Sequence, residues 1–393
     1  MINQRMFNLG DEPSAIRELF AYGMARKAQI GDDAVFDFSI GNPSVPAPEA
    51  VRESVLHWME TDPVALHGYT PAAGDPSVRQ AVADHIRRIH GVPATAGNVY
   101  LTAGAAAALA ISISAVTEPG DEVIVISPYF PEYAVWVETA RCKLVEVPAT
   151  QPDFQLDIDA IAAAITPRTS AIIINSPNNP VGAVYSRQNL EALAAMLAEK
   201  EAELGRKIYV IADEPYRLIT YGAEVPFVPS VWPRTIVCYS FSKCLSLPGE
   251  RIGYVYVSDL ADDAAEVSTA VAGAGRALGF ICAPALFQHV MADCLDEPAD
   301  VASYAENRAL LTEGLANLGY EFVEPEGAFY LWVRALEPDA QAFSDRAKDF
   351  ELLLVPSDSF GVGGWVRVSY CVAREVIENA MPAFAALKES YAE

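Results

Sequence analysis

A lysine stands at position 243 just after the apolar run 235–240, with Ser240 and Ser242 before it and Arg251 beyond a Pro248-Gly249 turn. A lysine closing a strand is ordinarily a solvated charge, but this one is flanked by small hydroxyl side chains and followed by a second cation. Ser and Arg suit a phosphate dianion, which a guanidinium binds through paired charge-assisted bonds. An amine beside such a site, its pKa lowered by cationic neighbours, can act as a nucleophile. Thirty residues earlier, another apolar run ends in Asp213-Glu214-Pro215-Tyr216. An acid placed there can cap a helix or stay ionised beside a fixed cation. A third run ends in Asn175-Ser176-Pro177-Asn178-Asn179-Pro180-Val181-Gly182, whose residue types also suit a plain turn. Small residues at Thr102-Ala103-Gly104-Ala105-Ala106 let backbone N–H groups approach an anion at a helix start. Arg367 lies between apolar residues of a β-type run, where burial demands a carboxylate partner from the protein or from a ligand.

The stretch from Ser240 to Gly253 resembles the S-x-S-K-x-x-x-x-P-G-x-R-x-G signature of class I/II pyridoxal-phosphate (PLP) aminotransferases. The resemblance implies that Lys243 holds PLP as a Schiff base, with Ser240 and Arg251 on its phosphate. Asp213 and Tyr216 match the family's D-E-x-Y element: the acid pairs with the pyridine nitrogen and keeps the ring an electron sink, and the tyrosine bonds the phenolic oxygen. Asn179 falls in a loop similar to N-P-x-N-P-T-G and also donates to that oxygen; Ser176 and Val181 depart from the pattern at positions without chemistry. Ala105 and Ala106 match the phosphate cup, and Phe130, after Ser127-Pro128-Tyr129, matches the aromatic stacked on the ring. Tyr69 matches the tyrosine given to the neighbouring subunit's phosphate, which implies a homodimer with shared active sites. Arg367 and Gly41 match the group that clamps the substrate α-carboxylate, and Arg276 lies near where some members carry an arginine for a side-chain carboxylate.

These residues need strands that end together. Candidate strands cover 98–102, 122–127, 170–175, 207–213, 235–240 and 253–258, with helical stretches at 105–116 and 187–204 between them. Unbroken Val/Ile-rich runs alternating with helices predict an α/β architecture with a mostly parallel sheet buried on both faces. Ligands of such sheets sit beyond the carboxyl ends of the strands. The last third changes character: a helix over 301–318, short β runs at 320–323 and 328–333, a helix over 340–350, strands at 352–355 and 365–370, and a closing helix from Ala373. The expected fold is therefore a large domain whose central sheet is sandwiched by helices, plus a smaller α+β domain, which under the resemblance is PLP fold type I. The large PLP-binding domain is assigned to 48–283, and the small one to 1–47 and 284–393. The N-terminal segment shows no obvious sheet unit and is expected to pack on the small domain.

The bulk numbers narrow the function classes. The chain has 393 residues, 52% hydrophobic, enough for about two ordinary domains. No apolar run suits a membrane span, and residues 1–10 lack a secretory signal. Six scattered cysteines without metal-ligand spacing point to a reducing compartment and no bound metal, so a cytoplasmic location is expected. A net charge of −25 argues against nucleic acid as a partner. It also repels anionic substrates at long range, so local arginines must attract them. The expected activity is ping-pong transfer of an amino group from an L-amino acid, aspartate first, to a 2-oxo acid such as 2-oxoglutarate. A PLP-dependent cysteine C–S lyase shares the same residues, because fold does not fix reaction. A PLP-sensing regulatory module normally carries a DNA-binding region, for which only a short N-terminal segment is present. No G-x-G-x-x-G between an early strand and helix supports a nicotinamide enzyme.

Overall fold

The computed structural model describes residues 2–11 and 14–392. A two-residue strand, β1 (Phe36–Asp37), comes first. Seven strands follow: β2 (Val99–Thr102), β3 (Glu122–Ser127), β4 (Lys143–Pro148), β5 (Thr169–Asn175), β6 (Tyr209–Asp213), β7 (Thr235–Ser240) and β8 (Gly253–Val257). They make one sheet in the order β2-β8-β7-β6-β5-β3-β4. Only β8 is reversed; its two neighbours pair with it antiparallel, and all other pairs are parallel.

The apolar runs are unbroken because both faces of this sheet are covered. On one face Val123, Val125 and Ile173 pack with Leu109 and Ile111 of the helix Gly104–Val116. On the other, Ile124, Ile126, Ile172 and Ile174 pack with Leu190, Leu193 and Leu197 of the helix Arg187–Leu204. The sequence reading missed β4, an edge strand whose Lys143 and Glu146 are exposed and whose pattern therefore reads as a loop.

The last third forms β9 (Phe322–Val323), β10 (Tyr330–Arg334), β11 (Leu352–Leu353), β12 (Val355–Pro356) and β13 (Trp365–Ser369). Four of these make an antiparallel sheet in the order β12-β13-β10-β9. The fifth, β11, pairs in parallel with β1, so the N-terminal segment does supply a short strand, although it reads as sheetless. Leu331, Val333, Leu311, Leu315, Phe343 and Phe384 form the core here, joined by Phe38. The helix Ala285–Asp293 goes elsewhere: its Val290 and Met291 pack with Val51, Val82 and Tyr254 beside the large sheet. The result is a mixed α/β molecule with a large, mostly parallel central sheet. No helix among the described residues is long and apolar enough to cross a membrane, and all six cysteines are free.

Candidate active site

The strands β2, β3, β5, β6 and β7 end at Thr102, Ser127, Asn175, Asp213 and Ser240. A cleft of about 500 Å³ opens beyond them. Lys243, Asp213, Tyr216, Asn179 and Ser240 line it, as do Arg251, Phe130, Ala105 and Ala106. Arg367 from β13 and Gly41 from the N-terminal segment close the opposite wall. Lys243, Arg251, Arg367 and the buried Asp213 thus share a single cavity.

Lys243 sits in the one-turn helix Phe241–Cys244, whose first N–H groups are met by Ser240 Oγ accepting from the Ser242 N–H at 3.3 Å. Its Nζ donates to the Gly41 carbonyl at 2.6 Å. Rings of Phe329 and Tyr216 stand 5.5 and 6.0 Å from it. Burial lowers its pKa to about 8, the Arg367 and Arg251 charges pushing the same way while Cys371 opposes them. A lysine so placed holds a usable fraction of neutral amine near neutral pH.

Asp213, the last residue of β6, is 5% exposed. Its Oδ2 accepts from the Tyr133 hydroxyl at 2.5 Å, and Asn175 Nδ2 donates to its backbone carbonyl at 2.8 Å. Its Oδ1 is buried with no donor. Burial raises this carboxyl's pKa to about 7; the Tyr133 bond lowers it and the Glu214 charge raises it. A buried acceptor with nothing bound to it is a place for an incoming N–H, and a cationic one would restore the ionised form.

Arg367 is 2% exposed. It donates to Asn179 Oδ1 at 3.0 Å and to the Ser39 carbonyl at 2.6 Å, and lies 4.6 Å from the Tyr330 ring centroid. Its Nε has no acceptor, and no carboxylate pairs with it among the described residues. Burying an unpaired guanidinium costs several kcal/mol, so the cleft holds a cation prepared for an anion. Tyr216 and Tyr330 share a hydroxyl–hydroxyl bond of 2.8 Å. The cleft's other end begins at the helix Gly104–Val116, where Ala103 offers no side-chain cap. Arg251 leans there, donating to the Pro248 and Ala103 carbonyls at 2.9 and 3.3 Å. Uncapped N–H groups, an arginine and the Ser240 hydroxyl together make an anion site. Among the described residues no group of His, Cys, Asp and Glu is arranged to hold a metal ion.

The family model for aminotransferase class I and II matches residues 33–384. The chain belongs to that family. This aminotransferase is 33% identical over 384 residues to an aspartate/prephenate aminotransferase of Thermus thermophilus, covering 95% of this chain and 96% of that one. Its structure matches an aminotransferase from Eubacterium rectale with a TM-score of 0.97 at 51% identity, covering 100% of both chains. It matches the aspartate aminotransferase from Thermus thermophilus with maleate at a TM-score of 0.88 and 30% identity, covering 98% and 99%.

Two expected site residues of the aminotransferase lie outside its cleft. Tyr69 is 100% exposed. Arg276, in the last turn of the helix Ala264–Leu278, is also exposed and does not line the cavity. The helix that carries Arg276 packs along the Gly104–Val116 helix, and within one chain the residue lies on the outer surface. Sequence reasoning in turn missed Tyr133, which holds Asp213 across 80 positions and carries no spacing signal. It also overlooked the first turn of the helix Ala15–Ile30, whose Ile16 and Arg17 reach the cleft with Ser14. A second cavity of about 400 Å³ lies behind the Lys243 helix against Cys244 and Phe227. Its buried Arg217 is already paired with Glu214 at 2.6 Å.

Proposed function

We propose that this aminotransferase works with pyridoxal 5'-phosphate as a homodimer in the cytoplasm and moves the amino group of L-aspartate to a 2-oxo acid such as 2-oxoglutarate. The observation that carries the cofactor reading is the donorless Oδ1 of Asp213 in the same cleft as Lys243. A pyridinium N–H would satisfy that oxygen, and an uncapped helix start beside Arg251 suits a phosphate. The bound cofactor supplies a ring that withdraws electrons from the substrate's Cα.

The chain's own residues do the rest. Lys243 Nζ would hold the cofactor, and its free amine would carry the proton taken from substrate Cα. Asp213, held by Tyr133, keeps its charge beside the ring nitrogen. Tyr216 and Asn179 would orient the cofactor, and Phe130 would pack against it. Ser240, Arg251 and the N–H groups at Ala105 and Ala106 hold the phosphate, with Tyr69 of the partner subunit completing the set. Arg367 binds the substrate α-carboxylate through its free Nε edge, with the Gly41 backbone beside it. We also propose a division into a large unit and a small one formed by both chain ends. The first boundary lies near 48, and the second falls in the 294–300 segment, because the helix Ala285–Asp293 packs beside the large sheet.

The test is the visible spectrum of the protein with PLP, followed by single L-amino acids without acceptor. Loss of the yellow band with formation of oxaloacetate from aspartate supports the reading. Pyruvate and ammonia released from a cysteine conjugate with the band intact mean a C–S lyase. No cofactor band at all sinks the assignment of Lys243.

A further inference from the structure

The segment that carries Tyr69 runs from the short helix Pro63–Leu66 to the helix Pro76–His90. The Tyr69 side chain is 100% exposed, yet the backbone just after it is firmly tied. One side chain, Gln288, grips both ends of residues 70–75 from 218 and 213 positions away. Its Oε1 accepts the Asp75 N–H at 2.8 Å, and its Nε2 donates to Thr70 Oγ1 at 3.2 Å and to the Ala283 carbonyl at 2.5 Å. Gln288 is 0% exposed, so both amide N–H groups and the amide oxygen are spent inside the protein. Cys282 adds two bonds to the same segment, its N–H to the Ala72 carbonyl at 3.1 Å and its thiol to the Thr70 carbonyl at 3.3 Å. The helix that presents Gln288, Ala285–Asp293, is itself fixed. Its Val290 and Met291 are in the core, and its Asp293 accepts from Ser54 Oγ and Trp58 Nε1 at 2.6 and 2.7 Å. A side chain held by packing on such an element can set the position of a neighbouring group.

We propose that Gln288 is a positioning residue that acts across the dimer: it sets the 70–75 segment so that Tyr69 meets the cofactor phosphate in the partner subunit's site. This inference rests on the shared-site reading of Tyr69 and adds the residue that aims it. An exposed tyrosine is aimed by its backbone, and the backbone from Thr70 to Asp75 is aimed by Gln288. Without the amide, the Asp75 N–H loses its acceptor and the segment shifts to find another. A small misplacement of a positioning group is enough to weaken the contact it makes. The loss appears in the neighbouring site, because Tyr69 serves that one. A general fault in the fold appears in both.

The test uses doubly tagged hybrid dimers in which one chain carries Lys243→Ala. Their one covalent site combines Lys243 of the other chain with Tyr69 of the Lys243→Ala chain. Cofactor trapped on Lys243 by borohydride at rising PLP concentration gives the Kd of that site alone. Gln288→Met, similar in shape but without the amide, raises this Kd at least about tenfold when placed in the Lys243→Ala chain. Placed in the Lys243-bearing chain, it leaves the Kd unchanged. Thr70→Val, a milder loss that spares the helix, shows the same asymmetry at smaller size. Adding Gln288→Met to Tyr69→Phe in the Lys243→Ala chain causes no further loss. Equal weakening from either chain overturns the proposal, as does no weakening from the Lys243→Ala chain where Tyr69→Phe does weaken binding. Tyr69→Phe without effect in either chain refutes the shared site itself, and the proposal with it.

Discussion

At the residue scale the active site is an arrangement of unmet demands. Asp213 presents a buried oxygen without a donor, and Arg367 a buried Nε without an acceptor. Each is unfavourable in the free protein and is relieved only by a ligand, so binding energy is directed to those atoms. Lys243 is tuned differently. Its pKa falls from 10.5 to about 8, so the native protein favours the neutral amine. The penalty for charging it is absent above pH 10.5 and grows as pH falls towards about 8, where the native group protonates. In the proposed role the neutral amine captures the cofactor, so the predicted capture rate of the cofactor-free protein rises with pH and levels off above about 8. Arg251→Met removes a cation that lowers this pKa and shifts the midpoint upward; stopped-flow absorbance at the cofactor band measures it. A midpoint left near 10.5 in the unaltered protein contradicts this account. Lys243→Ala keeps cofactor without a covalent bond, and its turnover drops by at least about 10²–10⁴-fold, the usual worth of a positioned proton carrier. Near-normal turnover without added amine refutes the assignment.

At the scale of elements, the parallel strands bring their carboxyl ends to one rim, and the strand ends with the segments that follow them carry Phe130, Asn179, Asp213 and Lys243. These residues were legible in the sequence because each follows its strand within a few positions, so a local pattern fixes where the side chain emerges. The edge strand β4 was not legible, since its exposed charges interrupt the apolar run. The helix start at Gly104 shows how tightly such a junction is built. Gly104 has φ +79°, and a Cβ there would lie 2.7 Å from Arg251 Nη2. Gly104→Ala therefore combines backbone strain of about 1–3 kcal/mol with displacement of the arginine. Denaturant titration registers the first effect and a weaker cofactor Kd the second; stability lost with cofactor affinity unchanged would separate Arg251 from the phosphate.

At the scale of the whole molecule, an exposed Tyr69 makes sense if a second copy uses it. Complementation tests this directly. A Lys243→Ala chain retains Tyr69, and a Tyr69→Ala chain retains Lys243, so a hybrid dimer rebuilds one complete site of two. Random mixing makes half the dimers hybrid, and about a quarter of wild-type activity returns. Activity no greater than the sum of the separate variants means that sites are not shared. Two-fold closure of this kind leaves every copy contributing the same surface, so sedimentation at assay concentration should find a dimer.

The sequence alone determined which groups to look for, Lys243 with Ser240 and Arg251 near it and the strand-end Asp213, each recognisable because its neighbours in the chain are also its neighbours in the cleft. It also determined the alternation of strands and helices, since periodicity is a local property. Tertiary structure alone decided which distant groups meet. Tyr133 reaches Asp213 across 80 positions, and Arg367 reaches Asn179 across 188. Both contacts depend on how elements pack, and no spacing along the chain encodes them. The same packing carried Arg276 to the outer surface and brought Arg17, from a helix whose sequence shows no chemical motif, to the mouth of the cleft.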